Sequence, residues 1–526
     1  MAQVTIKQGK IRGTTGTSLT GETFHKFLGI PFAKPPLGEL RFKAPQPAES
    51  WLGVRDCIKD GPVAFTSANF LLESSGFEDC LYLNVFTRDL PENNDILKPV
   101  MVFFHGGGFT MGNGTQQMCT PDFVMTQDVV YVTINYRLSV LGFLSLEDVS
   151  LDVPGNAGLK DQTMALRWVQ ENIKQFNGDP NNVTIFGISA GGASVQFQML
   201  SPTAKNLFHK AIAQSGSVLN SWAWGQRNAI LLAEKLGKSV KNEKEALEVL
   251  LEASAEEVVK AANQLTDNIF DIDARRPFGP IVEKPNPTAF LTEDPSILLA
   301  SGNFNQVPLI QGACSNEGQL YENMKMLLPD TVDYDKNIIP WFLKSKSPVH
   351  PEWSTKLKNL YFNSGFTKQE RIYHVISDIC FLIGIFQSTE LMLRKSVQPI
   401  FVYVFDYISP MIKHVKEFSK IDSPGCFHGC DMMFFTSFRT LPTSAPLTEE
   451  DRIGILKVNK MWADFARDGT VHPSWEPVRD PERIEYLRIQ QEPEMLSSPF
   501  EERMAVWREI LQEAGNLDFK FNESAN

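Results

Sequence analysis

Cysteine is scarce in this chain, with seven in 526 residues, at positions 57, 80, 119, 314, 380, 426 and 430. That excludes a small scaffold held together by disulfides. Cys426 and Cys430 flank a histidine in CFHGC. A zinc site would need two more ligands, and no second cysteine–histidine cluster supplies them, so no metal and no cofactor is expected. Positive charge is also short. Fifty Lys and Arg against 62 Asp and Glu leave a net charge of −12, which argues against nucleic-acid or anionic-membrane partners. Long apolar runs are missing too, since stretches such as VVYVTINY and PVMVFFHGGGF are too short to cross a bilayer. The opening MAQVTIKQGKIRG alternates like a strand and lacks the apolar core of a secretory signal. The ending FNESAN carries no retention or peroxisomal address. A cytoplasmic protein is expected, or a secreted one if a leader has been removed. Three N-x-[ST] sequons, at Asn113, Asn182 and Asn522, are read as chance matches. Repeats, low-complexity tracts and dividing linkers are absent, so a single domain over 1–526 is expected.

What the chain has is alternation between strand-like and helix-like runs. VMVFF, VVYVTINY, VTIF, KAIAQ, VPLIQG and IFVYVF have strand length and apolar character. Residues 161–176, DQTMALRWVQENIKQF, place Ala165, Leu166, Trp168, Val169 and Ile173 at helical spacing. GASVQFQML, after VTIF, also reads as helix. Interleaved strands and helices predict an α/β fold, a mostly parallel sheet with helices on both faces. The region of about 225–395 is richer in charged helical segments and is expected to form a cap over the sheet.

Within that pattern, FGISAGG (186–192) sets Ser189 between Gly187 and Gly191, after a strand and before a helix. A G-x-S-x-G turn in that context is the signature of a nucleophile elbow. A serine hydroxyl attacks poorly at neutral pH, so a histidine must take its proton and a carboxylate must orient that histidine. Among His350, His374, His414 and His428, the last lies in a glycine-flanked loop, SPGCFHGCD, after a strand. His374 sits in a helical pattern and His472 in a surface-like stretch. Glu317, in GACSNEG directly after VPLIQG, is the acid best placed at a strand end. HGGGF (105–109) follows VMVFF and has the make-up of a loop whose main-chain N–H groups meet a developing oxyanion. No G-K-[ST] comes after it, which argues against nucleotide binding.

With these pieces placed, the chain resembles the type-B carboxylesterase/cholinesterase family, most of all insect carboxylesterases. The motifs that carry the likeness run from FLGIPFAKPPLGELRFKAP through EDCLYLNVFT, HGGGF, PGNAGLKDQTMALRWVQENI, FNGDPNNVTIFGISAGGASV and SNEG to FHGCD. The resemblance implies an α/β-hydrolase fold with a deep gorge, and an acyl-enzyme mechanism on carboxylic esters. It implies Ser189 as nucleophile, His428 as base and Glu317 as orienting acid, with Gly107, Gly108 and Ala190 giving oxyanion N–H groups. It implies a disulfide between Cys57 and Cys80, which a cytosolic enzyme could leave reduced, and a small-molecule ester as partner of a monomer or weak homo-oligomer. By the same resemblance Trp222 falls on the acyl-pocket wall, although a plain core ring is the other reading. Phe109 and Ile188 are the further candidates for contact with substrate.

Departures from the family matter as well. Family members commonly carry glutamate directly before the serine, and here Ile188 stands there, while a nearby loop acid matches Asp431. An apolar residue at that place favours uncharged substrates. The segment between Cys57 and Cys80 has no tryptophan, so it lacks the aromatic face on which cholinesterases hold a quaternary ammonium. Relatives devoted to juvenile hormone tend to carry glutamine before the serine, which Ile188 does not match. A slow-turnover protein that sequesters hydrophobic esters or organophosphates is the remaining alternative.

Overall fold

The structure, a computed structural model, describes residues 2–66, 75–92, 96–265, 271–272, 275–324, 338–436 and 446–515. Its strands are β1 (Gln3–Ile6), β2 (Gly9–Arg12), β3 (Thr14–Thr17), β4 (Thr23–Pro31), β5 (Val54–Asp56), β6 (Tyr82–Thr87) and β7 (Lys98–Phe104). They continue with β8 (Val130–Ile134), β9 (Gly178–Ile188), β10 (Lys210–Gln214), β11 (Leu309–Cys314), β12 (Ile400–Phe405), β13 (Glu485–Ile489) and β14 (Glu494–Ser497). Eleven of them form one sheet in the order β14-β13-β12-β11-β10-β9-β7-β8-β6-β4-β3, and β1, β2 and β5 form a small separate sheet. The pairs among β8, β7, β9, β10, β11, β12 and β13 are parallel. The outer pairs β13–β14, β6–β8, β4–β6 and β3–β4 are antiparallel. This is the α/β-hydrolase architecture, a large, mostly parallel sheet with flanking helices.

The two-residue period of the strands builds two cores, one on each face. In β7, Val100, Val102 and Phe104 join one apolar cluster, while Met101 and Phe103 join the other. In β12, Ile400 and Val402 side with the first cluster and Phe401 and Tyr403 with the second. The helix Ala190–Leu200 packs Val195 and Phe197 into the first core. On the opposite face the helix Glu449–Asp468 packs Ile455, Val458, Trp462 and Phe465 into the second. Each such side chain, fully buried, contributes about 1.5–3 kcal/mol.

Several local expectations shift by a few residues. The opening stretch is a hairpin, β1 paired with β2, where the pattern suggested a single strand. The helix expected over 161–176 starts earlier, as Ala157–Asn172, and finishes in a 3₁₀ turn, Ile173–Phe176. Asn177 then closes it with φ 64°, a left-handed conformation that asparagine tolerates, which is why FNGD fits there. Among the described residues of 225–395 helices are frequent, but β11 passes through the stretch as a central strand of the sheet. Among the described residues one helix, Lys368–Leu393, is long and apolar enough to cross a membrane, and 83% of its apolar window is buried inside the molecule. The apolar residues of that helix serve the core.

Candidate active site

The candidate residues gather where the parallel strands end, the edge at which α/β sheets hold ligands. Ser189 follows β9 immediately and precedes the helix Ala190–Leu200. Its backbone has φ 58° and ψ −121°, far from the conformations that serine prefers. Neighbours hold it there. Its N–H donates to Gln214 O (2.8 Å), and its carbonyl accepts from Ala193 N (2.8 Å). The glycines around it are dictated by close approach. A Cβ on Gly191 would lie 1.9 Å from Phe104 O, and one on Gly216 would lie 2.0 Å from Ser189 O. The elbow is therefore wedged between the ends of β7 and β10.

The glycine loop after β7 lies against this turn. A Cβ on Gly106 would come within 3.2 Å of Ser189 Cβ and 3.4 Å of Ile188 Cγ2. Gly107 has φ 108°, and a Cβ there would meet Met111 O at 2.2 Å. Among the described residues, no hydrogen bond within the chain uses the N–H groups of Gly107, Gly108 or Ala190. His105 braces the loop from behind. Its ring stacks on Tyr136 at 4.3 Å, its Nδ1–H donates to Gly106 O (2.8 Å), and Tyr136 OH donates to His105 O (2.9 Å). Burial pushes the His105 imidazole down to about 4, so it is neutral near pH 7.

Glu317 and His428 meet across 111 residues of chain, with Nδ1 of His428 2.6 Å from Oε2 of Glu317. The glutamate side chain is fully buried, and that of His428 is 10% exposed. The other carboxylate oxygen, Oε1, accepts from Ser215 Oγ (2.6 Å) and from Cys314 N (2.7 Å). Ser215 follows β10 in a positive-φ turn, φ 50°, and its N–H donates to Gly312 O. These contacts close a circuit. Gly216 abuts Ser189, Ser215 grips Glu317, Glu317 grips His428, and a Cβ on Gly429 would lie 3.6 Å from Ile188 Cδ1. Among the described residues, Ser189 Oγ makes no hydrogen bond to His428. A bond of that kind often tightens only when substrate fills the site.

Asp431, three residues after His428, is fully buried beneath this circuit. Its Oδ2 accepts from Gln214 Nε2 (2.9 Å) and Tyr403 OH (2.8 Å), and its Oδ1 from Met432 N (2.9 Å). Burial pushes its carboxyl up from the ordinary range, while the Gln214 and Tyr403 donors pull it back. Ile188 pairs in register with Gln214, whose side chain donates to Asp431, and it puts an apolar side chain at the place where the family commonly has glutamate.

An aromatic series leads from the glycine loop to the histidine. Phe109 lies 6.4 Å from Trp222, Trp222 lies 6.1 Å from Phe381, and Phe381 lies 4.5 Å from the His428 ring, centroid to centroid. Trp222 is buried, with its indole N–H bound to Cys380 O (2.6 Å).

Cys57 and Cys80, the disulfide candidates, are instead two buried free thiols. The strands hold them in separate surroundings. Cys57 N donates to Arg12 O at the end of β2, whereas Cys80 sits beside the buried Arg137–Asp161 pair. Burial raises both thiols, Cys57 to about 12, which leaves them protonated and inert. Cys426 and Cys430 are likewise buried free thiols. Both ends of the Asn182 amide are occupied, by Arg467 O (2.7 Å) and Lys210 Nζ (2.5 Å). Asn113 caps the turn at Thr115, and Asn522 lies outside the described residues. Sequence reasoning missed Ser215, Gln214 and Phe381. Ser215 stands in SGS directly after KAIAQ, but its place beside the elbow follows from β10 pairing with β9, which the sequence alone does not give.

The chain matches the sequence profile described as Carboxylesterase family over residues 1–507. It is 35% identical over 504 residues to a protein named juvenile hormone esterase from Tribolium castaneum, covering 89% of this chain and 84% of that one. It is 33% identical over 512 residues to a carboxylic ester hydrolase from Bombus ignitus, covering 93% and 90%. Among solved structures it is similar to juvenile hormone esterase from Manduca sexta with OTFP covalently attached. The TM-score is 0.84 and the identity 27%, over 97% of this chain and 99% of that one.

Proposed function

This chain belongs to the carboxylesterase family and is a carboxylic ester hydrolase, and on that premise we propose that it cleaves uncharged, largely apolar carboxylic esters through Ser189, His428 and Glu317. His428 takes the Ser189 hydroxyl proton as Oγ attacks the ester carbonyl. The carbonyl oxygen, now an anion, receives the N–H groups of Gly107, Gly108 and Ala190. His428 passes its proton to the departing alcohol, leaving an acyl group on Ser189. Water then enters, loses a proton to His428 and attacks the acyl carbonyl, and as the acid leaves His428 returns that proton to Ser189 Oγ. Glu317 keeps the imidazole oriented and balances its charge while it holds the proton. Each oxyanion donor is worth about 3 kcal/mol of barrier.

The observation that carries this reading is the 2.6 Å hydrogen bond from His428 to fully buried Glu317, in a circuit that returns to strained Ser189. Preference for uncharged esters rests on Ile188 and on the rings of Phe109 and Trp222, 6.4 Å apart beside the glycine loop. A narrower reading, hydrolysis of juvenile hormone, is favoured by the names of the Tribolium and Manduca relatives. Ile188 in place of glutamine weighs against it.

The test is steady-state hydrolysis of p-nitrophenyl esters of graded acyl length, with juvenile hormone alongside, by wild type and Ser189→Ala. Loss of turnover by about 10⁵-fold or more is expected in the variant. Equal turnover in both proteins would remove the mechanism. A stoichiometric burst without sustained turnover would make the protein a sequestering one. Preference for juvenile hormone over every simple ester would favour the narrower reading.

A further inference from the structure

The helix Lys368–Leu393 is interrupted near the site. Over Ser377–Leu382 it is a π-helix, and the N–H of Ile383 reaches back five residues to Asp378 O. A π turn accommodates one extra residue, which rotates the succeeding turns by about 100° relative to an unbroken α-helix and redirects carbonyl groups. Two of these carbonyls have taken side-chain partners. Cys380 O accepts from Trp222 Nε1 (2.6 Å), and Phe381 O accepts from Asn220 Nδ2 (2.8 Å).

The same turn is tied down elsewhere. Ser377 Oγ accepts from Gly318 N (2.8 Å), beside Glu317. Asp378 accepts from Tyr361 OH (2.6 Å) and pairs with Arg503 (2.9 Å). One six-residue segment thus touches the turn of the acid, the tryptophan wall and, through the Phe381 ring, the His428 imidazole at 4.5 Å and 36°.

The imidazole needs such a support. One hydrogen bond, Nδ1 to Glu317, fixes an atom but leaves the ring free to turn about that axis. A ring packed 4.5 Å away at a tilt of 36° narrows that freedom. We infer that Phe381 is a positioning residue for His428, held against the imidazole by the π turn so that Nε2 stays aimed at Ser189. The kinetic part of this inference rests on the serine-esterase reading, while the geometric part rests on the Glu317–His428 pair alone.

The test uses the full chain carrying Phe381→Leu, which keeps most of the volume without the ring, and Phe381→Tyr, which keeps the ring. With p-nitrophenyl butyrate, Phe381→Leu is expected to lower kcat about tenfold with KM within about twofold, and Phe381→Tyr to stay within about threefold of wild type. The low-field NMR proton on His428 Nδ1, identified by its loss in Glu317→Gln, is expected to broaden or shift in Phe381→Leu and to persist in Phe381→Tyr. An unchanged kcat and proton line in a folded Phe381→Leu would overturn the inference. So would equal damage in both variants when thermal melts show both folded. If Phe381→Leu does not fold, Phe381→Met replaces it under the same criteria. If wild type hydrolyses no ester at all, the serine-esterase reading falls, and the NMR proton still decides the role of Phe381.

Discussion

On the serine side of the site the fixing contacts are main chain, whereas on the histidine side they are mostly side chains. Ser189 is held by bonds from its own N–H and carbonyl and by backbone lying where any larger residue than glycine would collide. Glu317 and His428 are held by Ser215, by the Cys314 N–H, by each other and by the ring of Phe381. The two constructions fail differently. Main-chain packing tolerates no added atom, so damage there costs stability along with rate. Side-chain networks can lose one group with the fold intact, so damage there costs rate alone.

The largest effect expected from breaking the histidine side is that of Glu317→Gln. An amide keeps the shape but cannot balance an imidazolium and can present the wrong group to Nδ1. A loss of about 10⁴-fold in kcat is expected, with the thermal midpoint close to wild type. A loss below tenfold would show that the acid is dispensable. On the serine side, Gly107→Ala should act on both quantities. The new methyl would sit 2.2 Å from Met111 O at a φ of 108°, so the loop must shift. A drop of about 10²–10³-fold in kcat is expected, together with a lower midpoint by about 1–3 kcal/mol of overpacking. A variant equally stable and equally active would contradict the contrast. Ser215→Ala is milder. It removes one hydrogen bond to a buried carboxylate that keeps Cys314 N and His428 as partners. A bond to a charged group is worth about 1.5–3 kcal/mol, so kcat should fall about tenfold or somewhat more, with KM unchanged.

The same division explains what could be read in the chain before its structure. The main-chain half announces itself, because close approach demands glycine, and FGISAGG and HGGGF display it at fixed spacing. The large elements were also legible from their apolar periods, including the strands that carry Ser189 and Glu317. The side-chain half was legible only in its two end members, each placed after a strand. Ser215 looked like any loop serine, and its value comes from β10 lying between β9 and β11, a fact of topology. Phe381 gave no signal, since an inserted residue inside an apolar helix leaves the composition unchanged. Cys57 and Cys80 stand as buried thiols, the reduced state that the sequence reading left open beside a disulfide. The opening hairpin was read as one strand because alternation continues across its turn with the same period.

The smallest expected effect sharpens the comparison from behind the glycine loop, where a side chain does serve the main-chain half. His105 is buried, and its folded value of about 4 lies below its ordinary 6.5. Between those values the unfolded chain binds a proton that the folded chain refuses. Stability from this group is therefore complete above pH 6.5 and is lost as the pH falls through it towards 4. The loss reaches about 2 kcal/mol at pH 5 and about 3 kcal/mol at pH 4. His374, pushed down to about 4 mainly by burial, adds a slope of the same sign. The buried carboxyls of Asp378 and Asp431, raised by burial, work in the opposite sense. Comparing wild type with His105→Asn at each pH cancels those contributions. The variant should be less stable at pH 7.5, having lost its stacking on Tyr136, and the gap should narrow by about 2 kcal/mol on going to pH 5, measured by urea unfolding. A gap that stays constant would mean that His105 takes its proton without strain, and that the loop it braces is looser than its packing implies.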